Sequence, residues 1–283
     1  MMFNLKLAGF LLSLNAFFQN ITFDPGRQGF YKGKNLVEIT ALAKISGEFT
    51  ESSGLEYGPG NNFYTHKDSG ASARLYRFDY SGNIYEVTDL TGVTNIDWED
   101  MARDEAGNYY VGDFGNNLNK RTNLVIYKVT TGGVQEIKFN YDNQCAFPPA
   151  KRKMDFDCEA MFWYNNHLYL FSKNRGSNWV KAYKVPDDPG NYSLAPIDSF
   201  YSRRMVTAAD IDLDTRQFGL LTYVMIYYFQ LEDDLHVFSR PDKAVKFTRS
   251  GQAEGFLMLP GHSGLITNEM GKIFLLQPAA KNP

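Results

Sequence analysis

The hydrophobic residues of this chain fall into short runs of strand length, separated by turns rich in Gly, Asn, Pro and Asp. The clearest unit is residues 95–117. There a short segment carrying Glu99 and Asp100 leads through a turn at residues 104–107 into an aromatic strand that runs to Asp113. A Gly-containing turn between two short apolar runs predicts a β-hairpin. Antiparallel pairing places the start of the first strand beside the end of the second, so we expect these three carboxylates at one sheet edge.

The same unit occurs five times, each time as a short apolar segment, a polar turn and a second apolar strand. Successive units are spaced by 46, 60, 50 and 45 residues. The residues taken as equivalent are Ser53, Glu99, Glu159, Ala209 and Glu254. Repeats of this length, with several strands and no helical stretch, are typical of propeller blades. The sequence therefore predicts an all-β fold, a single five-bladed β-propeller.

The last unit has room for only three strands. A strand-like segment, Leu36 to Ile45, precedes the first unit, and we expect this N-terminal strand to supply the missing outer strand and close the ring. The expected division of the chain is a signal segment (1–19), an irregular arm (20–35), the propeller (36–277) and a tail (278–283).

Charge and hydropathy narrow the function classes. The net charge is −3, so no basic footprint favours a nucleic-acid partner. No apolar run beyond the N-terminus is long enough to span a bilayer, so we expect no membrane span in the mature chain. At the N-terminus, Lys6 and an apolar run over residues 7–18 are typical of a secretory signal, which predicts export to the periplasm or the extracellular space. The alternative is an apolar strand or helix that belongs to the fold. We expect a monomer.

The chain has two cysteines, Cys145 and Cys158. Export would permit a disulfide between them. The alternative is two free thiols, one of them buried in an inner strand. Residues 141–156, which carry Pro148-Pro149 and a basic triplet, are predicted to form a surface loop.

The inner strands of a propeller converge on a central channel, so we expect Glu99, Glu159 and Glu254 to meet at one end of it. Converging carboxylates with no obvious cation among them repel, and their pKa values rise. A divalent cation resolves this conflict, and all-oxygen ligation favours Ca²⁺. Ser53 and Ala209, in the blades without the Glu, are expected to offer backbone carbonyls. The alternative is a hydrated polar channel whose carboxylates bond backbone amides.

The ends of the second strands predict a second ring around the first. Its candidate catalytic residues are His66, Asp68, Asp113, Lys173 and, from the loop of blade two, Arg121. Its candidate ligand-face residues are Asn116, Asn117, Tyr223, Asn268 and Glu269. Such a ring near a metal suits hydrolysis or binding of an anion. Structural alternatives stay open: His66 as a hydrogen-bonding residue, Asp68 as a turn residue and Lys173 as a solvated charge.

These residues carry a resemblance to exported bacterial β-propellers of unassigned activity. The shared motifs, in order, are Ser53 to Leu55, Thr65 to Gly70, Asp97 to Asp100, Gly112 to Asn117 with Arg121, Glu159-Ala160, Thr207 to Asp210 and Ala253-Glu254. The layout is more distantly similar to the calcium-activated nucleotidases (soluble apyrases), five-bladed propellers with a central Ca²⁺, and to phytase-like esterase propellers.

The nucleotidase resemblance implies ligands in the order Ser, Glu, Glu, Ser, Glu, from which Ala209 departs. The segment Lys67 to Gly70 lacks the Arg of the nucleotidase motif, which weakens the implication of nucleotide hydrolysis and leaves the calcium site standing.

Two function classes follow. The first is an exported, calcium-binding propeller whose loop face binds a small anionic ligand, a glycan or a protein. The alternative is a calcium-dependent hydrolase of phosphate or other esters, with Asp68 or Asp113 positioning water and Lys173 or Arg121 stabilising developing charge.

Overall fold

The computed structural model describes residues 37–278, apart from residues 48, 234–235 and 248–249. The predicted signal segment and arm, and most of the predicted tail, lie outside the described residues. The described chain is built from strands, and these form five sheets arranged as the blades of a propeller. The predicted all-β, five-bladed fold is therefore confirmed.

Four antiparallel strands form the body of each blade, and the first strand of the repeat lies innermost. The strands of blade one are β2 (Ser52–Tyr57), β3 (Phe63–Lys67), β4 (Arg74–Phe78) and β5 (Ile84–Asp89). Those of blade two are β6 (Trp98–Arg103), β7 (Tyr109–Asp113), β8 (Leu124–Thr130) and β9 (Gly133–Tyr141). Blade three has β10 (Cys158–Tyr164), β11 (His167–Ser172), β12 (Trp179–Pro186) and β14 (Asp198–Tyr201). Blade four has β15 (Val206–Asp212), β16 (Gln217–Thr222), β17 (Met225–Gln230) and β18 (Pro241–Lys246). Blade five has β19 (Ala253–Leu259), β20 (Ser263–Asn268), β21 (Lys272–Pro278) and the N-terminal β1 (Val37–Lys44).

The two ends of the propeller meet in blade five. There β1 runs antiparallel to β21 as the outermost strand, with Thr40 opposite Leu275. The last three strands of the chain thereby gain a fourth from its beginning, and β21 has no free edge.

Blade three departs from the expected pattern, because two strands follow β12. The strand β14 completes blade three, whereas β13 (Gly190–Leu194) crosses to blade two and pairs in parallel with β9. This fifth strand covers the outer edge of blade two and ties the two blades together. A blade of four strands, as assumed for the closure of the last unit, therefore does not account for β13.

Aromatic side chains fill the space between neighbouring blades. Phe162 of blade three packs on Phe218 of blade four with ring centroids 5.2 Å apart, and Phe218 stacks on Phe229 at 5.1 Å. Burial of such rings stabilises the contact between blades. It explains the high aromatic content, 15% of residues.

Asp100 occupies the middle of the ring of inner strands. Its side chain is fully buried and accepts backbone N–H groups from Met101 (2.9 Å), Met161 (2.9 Å) and Ala209 (3.0 Å). These donors belong to blades two, three and four, so one carboxylate joins three inner strands. Blades three, four and five carry the small residues Ala160, Ala208 and Gly255 just after their bulges, at the register that Asp100 holds after Glu99 in blade two.

The two cysteines do not form a disulfide, which agrees with the alternative of two free thiols. Both are free: Cys145 is exposed in the loop after β9 and Cys158 is buried at the start of β10.

Candidate functional site

Three glutamates stand at the start of the inner strands of blades two, three and five. Glu99, Glu159 and Glu254 are buried, and each lies at a β-bulge, where the inner strand has one residue more than its partner. A bulge re-aims a side chain out of the regular alternation. Burial raises the pKa of Glu99 and of Glu254, and the charge of Glu159 raises both further. The structure therefore brings the three glutamates together, as the repeat spacing predicts.

The fourth blade requires a correction. Its bulge falls between Val206 and Ala208, so Thr207 shares the register of the glutamates, and Ala209 corresponds to Met161 two positions deeper. The Ala209 N–H bonds Asp100 instead of facing the mouth. Thr207 donates its hydroxyl to the Ala253 carbonyl at 2.7 Å. Both blades without the Glu thus place a hydroxyl here, because Ser53 likewise donates to the carbonyl of Glu99.

A second correction concerns the charge among the glutamates, because two cations lie beside Glu159. The Lys173 ammonium is 2.7 Å from one Glu159 oxygen, and Arg175 is 3.2 Å from the other. Arg175 also pairs with the buried Asp157 through its Nε. The expectation of converging carboxylates without a cation is therefore wrong for Glu159. Its charge is paired within the chain.

An acidic triplet also forms at the mouth. Single carboxylate oxygens of Asp68, Asp97 and Glu99 lie within 4.8 Å of one another, on loops and strands of blades one and two. Glu99 is buried, whereas Asp68 and Asp97 are half-buried. Oxygens at about 2.4 Å on opposite sides of a Ca²⁺ ion are separated by about 4.8 Å. The triplet therefore has the spacing of a metal site.

Gly115 allows the triplet to form. A Cβ atom at this position would lie 2.1 Å from Glu99 Oε1 and 2.6 Å from Asp97 Cγ. The loop closes because the Gly115 N–H donates to the Asp97 carbonyl at 3.0 Å. Any other residue here would have to displace the two carboxylates.

Asp113 holds the loop that carries Asp97. It is fully buried, pairs with Arg121 at 2.8 Å, and accepts the N–H groups of Asp97 (3.0 Å) and Ile96 (3.4 Å). Arg121 in turn donates to the Gly115 carbonyl at 2.8 Å. Both predicted catalytic residues are therefore occupied in building the triplet, a positioning role.

The triplet is electrostatically strained without a cation. Burial is the largest cause of each shift: it raises the pKa of Asp97 to about 8 and that of Asp68 to about 6. Asp68 adds to the shift of Asp97, and both add to that of Glu99. Lys173 opposes the rise at Asp68 and Glu99 only in part. A bound cation would remove this repulsion.

Glu254 supplies an independent sign of a missing partner. The residue is only 7% exposed, and among the described residues its Oε2 atom finds no hydrogen-bond donor. Burial raises its pKa and Lys173 opposes the rise, while Glu159 and Asp68 add to it, so Glu254 belongs to the same electrostatic cluster. Buried carboxylate oxygens rarely stay unbonded.

Two predicted ligand-face residues contact the cations. Asn117 accepts a hydrogen bond from Arg175, and the Tyr223 ring lies 5.6 Å from the Lys173 ammonium. The pKa of Lys173 is lowered by burial, but Glu159 and Tyr223 outweigh that effect and keep it raised. Lys173 is therefore a buried, charged residue of the mouth, which excludes the alternative of a solvated strand-end charge.

The other predicted ligand-face residues form hydrogen bonds that hold the loops together. Asn116 bonds Asp157 and accepts the N–H groups of Lys120 and Arg121. Asn268 bonds the Ser250 carbonyl and organises the turn after β20. Glu269 accepts from Gln252 at 2.5 Å.

His66 lies in the wall of blade one instead of at the mouth. It is fully buried, packs edge-on against Trp98 at 5.3 Å, and its Nδ1 is 3.2 Å from the Lys67 carbonyl. Burial lowers its pKa to about 4. The ring is therefore neutral at physiological pH.

Three residues of the site were absent from the predicted set: Asp97, Arg175 and Thr207. Asp97 sits in the Asp-Trp-Glu-Asp motif, and Arg175 follows a predicted strand end two residues after Lys173. Both therefore had a signal in their position. Thr207 began the shared motif Thr207 to Asp210, but its register was missed, because a bulge cannot be read from the spacing of apolar residues.

Comparison with known proteins supports the fold alone. No protein-family model matches this chain, and no curated protein does. A gluconolactonase from Xanthomonas campestris has a similar structure, with a TM-score of 0.50 and 12% identity over 86% of this chain and 90% of that one. The PQQ-bound aldose sugar dehydrogenase (Adh) from Streptomyces coelicolor gives 0.51 and 10%, over 87% and 99%. In the described part of the chain, no helix has the length and apolarity needed to cross a membrane.

Proposed function

We propose that this protein is an exported, calcium-binding β-propeller whose channel mouth binds an anionic ligand. The observation that carries the proposal is the acidic triplet of Asp68, Asp97 and Glu99, with oxygens within 4.8 Å. The unpartnered, buried oxygen of Glu254 supports it independently. Export rests on the N-terminal segment, which lies outside the described residues.

The residues at the mouth fit a hard cation. All the side-chain donors are oxygens, and no His or Cys stands among the triplet, so Ca²⁺ is favoured over zinc or copper. Three carboxylates give charge enough for a divalent ion. Asp68, Asp97 and Glu99 would hold it, and Glu159 would not, because Lys173 and Arg175 already neutralise it.

The proposed division of roles follows from these contacts. A bound calcium ion supplies a positive charge that anchors and polarises an anion. Lys173 and Arg175, which pair with Glu159 at the mouth, would attract the same anion. Asp113 and Gly115 keep Asp97 and Glu99 in place, and Asp100 keeps the inner strands together below them. We propose a monomer as the working unit.

Calorimetric titration of the dialysed, chelator-treated protein with CaCl₂ tests the cation site. We expect one ion per chain for the native protein, and affinity reduced at least tenfold in Asp68→Asn and Asp97→Asn. The exposed Glu105→Gln serves as a matched control, since it removes one carboxylate from a distant turn. Absence of calcium binding to a folded native protein would remove the proposal.

One observation favours hydrolysis of an anionic ester as a second candidate. Two cations and several carboxyl groups with raised pKa values meet in one place, which is the equipment of acid–base chemistry on a charged substrate. A panel of nucleotides, phosphomonoesters and aryl esters with calcium tests it. A sugar lactone belongs in the panel because one structural neighbour is a gluconolactonase. If the native protein turns over a substrate and Lys173→Met loses that turnover while keeping its calcium affinity, the result supports an enzyme. If no substrate of the panel is turned over, the result supports a binding protein.

A further inference from the structure

The upper edge of blade three is built from three loop segments that lock together beside the mouth. Asp155 accepts the N–H groups of Gly176 (2.9 Å) and Ser177 (3.0 Å), which ties the loop before β10 to the loop after β11. A Cβ atom on Gly176 would lie 2.6 Å from the Met154 nitrogen, so the two loops are in close contact. The third segment joins through the Ser202 N–H, which donates to the Asn178 carbonyl at 2.8 Å. We call residues 150–157, 173–179 and 201–204 the blade-three rim.

The outward surface of the rim is basic. A short 3-10 helix, Lys151–Lys153, exposes three consecutive cations, and Arg203 is exposed on the third segment. The rim's two aspartates, Asp155 and Asp157, are buried and turned inward to their hydrogen-bond partners. The rim thus exposes four cations in a chain whose net charge is −3.

The rim also presents a flat aromatic surface. Trp179 is 45% exposed at the start of β12, and its ring is supported edge-on by Tyr201 at 5.5 Å. Arg203 donates to the Tyr201 hydroxyl at 3.3 Å, which links the aromatic pair to a cation. An aromatic ring held by its neighbours binds at low entropic cost.

These groups lie on one edge of blade three, the edge that carries the rim. Lys173 and Arg175 lie at the mouth, the exposed Lys151–Lys153 turn is packed beside Gly176, and Trp179 and Tyr201 lie further out on the third and fourth strands of the blade. A chain-like ligand anchored at the mouth would meet cations first and the indole ring next. A compact anion would reach only the mouth.

We infer that the blade-three rim is a binding site for an acidic polysaccharide, a glycan that carries carboxylate or sulfate groups. Such a ligand fits both features, since its anionic groups pair with the cations and the C–H face of a sugar ring stacks on Trp179. This acidic polysaccharide would be the anionic ligand of the proposed function. The inference rests on that proposal, because the ligand is taken to be anchored at the channel mouth. A nucleic acid fits less well, because its regular phosphate charge calls for a longer basic stripe than this rim provides. An acidic peptide also fits less well, because its carboxylate side chains offer no ring face that could stack on the exposed indole.

Binding to immobilised or titrated polymers tests the inference at low ionic strength. The probes are oligogalacturonate, sulfated dextran, neutral dextran, polyglutamate and oligo-dT, each measured with calcium and with chelator. We expect binding of oligogalacturonate or sulfated dextran, which distinguishes carboxylate from sulfate, and none of neutral dextran. Arg152→Gln and Trp179→Ala should each weaken it at least tenfold, and added salt should weaken it further.

Two controls make the result specific to the rim. Tyr85→Ala removes an aromatic residue of similar exposure from β5 and should leave glycan binding unchanged. The calcium titration is run on the same samples, so a protein that binds calcium but no acidic glycan overturns this inference alone. Stronger binding of polyglutamate or oligo-dT, or acidic-glycan binding unaffected by both rim variants, also overturns it.

Discussion

Glu99 and Asp100 are neighbours in the chain, both buried and both carboxylates, yet their surroundings are opposite. The Asp100 carboxylate accepts three backbone N–H groups from three blades. The Glu99 side chain lies among other carboxylates, because Glu159, Asp68 and Asp97 all repel its charge and the last two have oxygens within 4.8 Å of it. Burial raises the pKa of both residues, and backbone hydrogen bonds offset the rise only at Asp100.

The contrast separates two uses of a buried charge. A carboxylate that is satisfied by backbone donors contributes to the fold, because its partners are present in every folded molecule. A carboxylate that lies among other carboxylates destabilises the folded protein until a cation binds. The partners of a buried acid, more than its burial, thus indicate whether it is structural or functional.

The largest expected effect is that of Asp100→Ala on stability. The substitution leaves the N–H groups of Met161 and Ala209 buried without an acceptor and opens a void between the inner strands. At about 1–3 kcal/mol for each orphaned donor, we expect a loss of roughly 3–5 kcal/mol in the free energy of unfolding. Urea denaturation followed by tryptophan fluorescence measures it.

Asp100→Asn is the matched variant, because it keeps the size and one carbonyl oxygen as an acceptor. We expect it to lose less stability than Asp100→Ala. If Asp100→Ala has the same urea midpoint of unfolding as the native protein, Asp100 does not join the blades and the contrast with Glu99 disappears.

The next effect belongs to Gly115→Ala, which acts on the triplet. The new methyl group would overlap Glu99 Oε1 and Asp97 Cγ, so both carboxylates have to move. We expect calcium affinity to fall about 100-fold, equivalent to about 2.7 kcal/mol. Gly132→Ala in the β8–β9 turn is the control, because a Cβ there meets nothing closer than 3.5 Å. Equal calcium affinity in both variants would contradict the proposed triplet.

The fold was predictable because it depends on repeated short-range patterns. The spacing of Glu99, Glu159 and Glu254 was enough to place the three glutamates at one register, and the shortage of strands in the last unit pointed to an N-terminal partner. The extra strand β13 was not visible, since its sequence does not state which blade it joins.

The site was predictable only in part, because it depends on single hydrogen bonds and one-residue shifts. A bulge moved the register of blade four from Ala209 to Thr207. The pairing of Lys173 with Glu159 depends on the path of a loop after a strand. Asp113 was named as a candidate catalytic residue, but only the contacts reveal that it positions Asp97.

A smaller effect is expected in the pH dependence of calcium's stabilisation. The pKa of Asp97 is raised to about 8 and that of Asp68 to about 6, so in chelator the folded protein binds more protons than the unfolded chain. Stability contributed by these groups should therefore decline as pH rises from about 4 to about 8. Calcium binds the deprotonated form and reverses this trend.

Thermal melts at pH 5, 6, 7 and 8, with calcium and with chelator, measure this linkage. We expect the calcium-induced rise in Tm to grow with pH and to level off above pH 8, by a few degrees in total. Asp97→Asn should flatten the dependence. A calcium effect that is constant from pH 5 to 8 would contradict the pKa assignment.

The smallest effect, and the sharpest test of the contrast, is that of Glu254→Gln. Its Oε2 atom has no donor among the described residues. Burial disfavours its charged form and raises its pKa, Lys173 opposes that rise, and Glu159 and Asp68 add to it. Removing the charge in chelator should therefore change stability by only about 0.5 kcal/mol, and toward a more stable protein. With calcium we expect the native protein to be the more stable of the two, because its site gains more binding free energy from the ion than the site of the variant does. Urea denaturation of both proteins in the two buffers measures the sign. If Glu254→Gln in chelator loses as much stability as Asp100→Asn, Glu254 is a structural carboxylate like Asp100, and the mouth loses its independent sign of a missing cation.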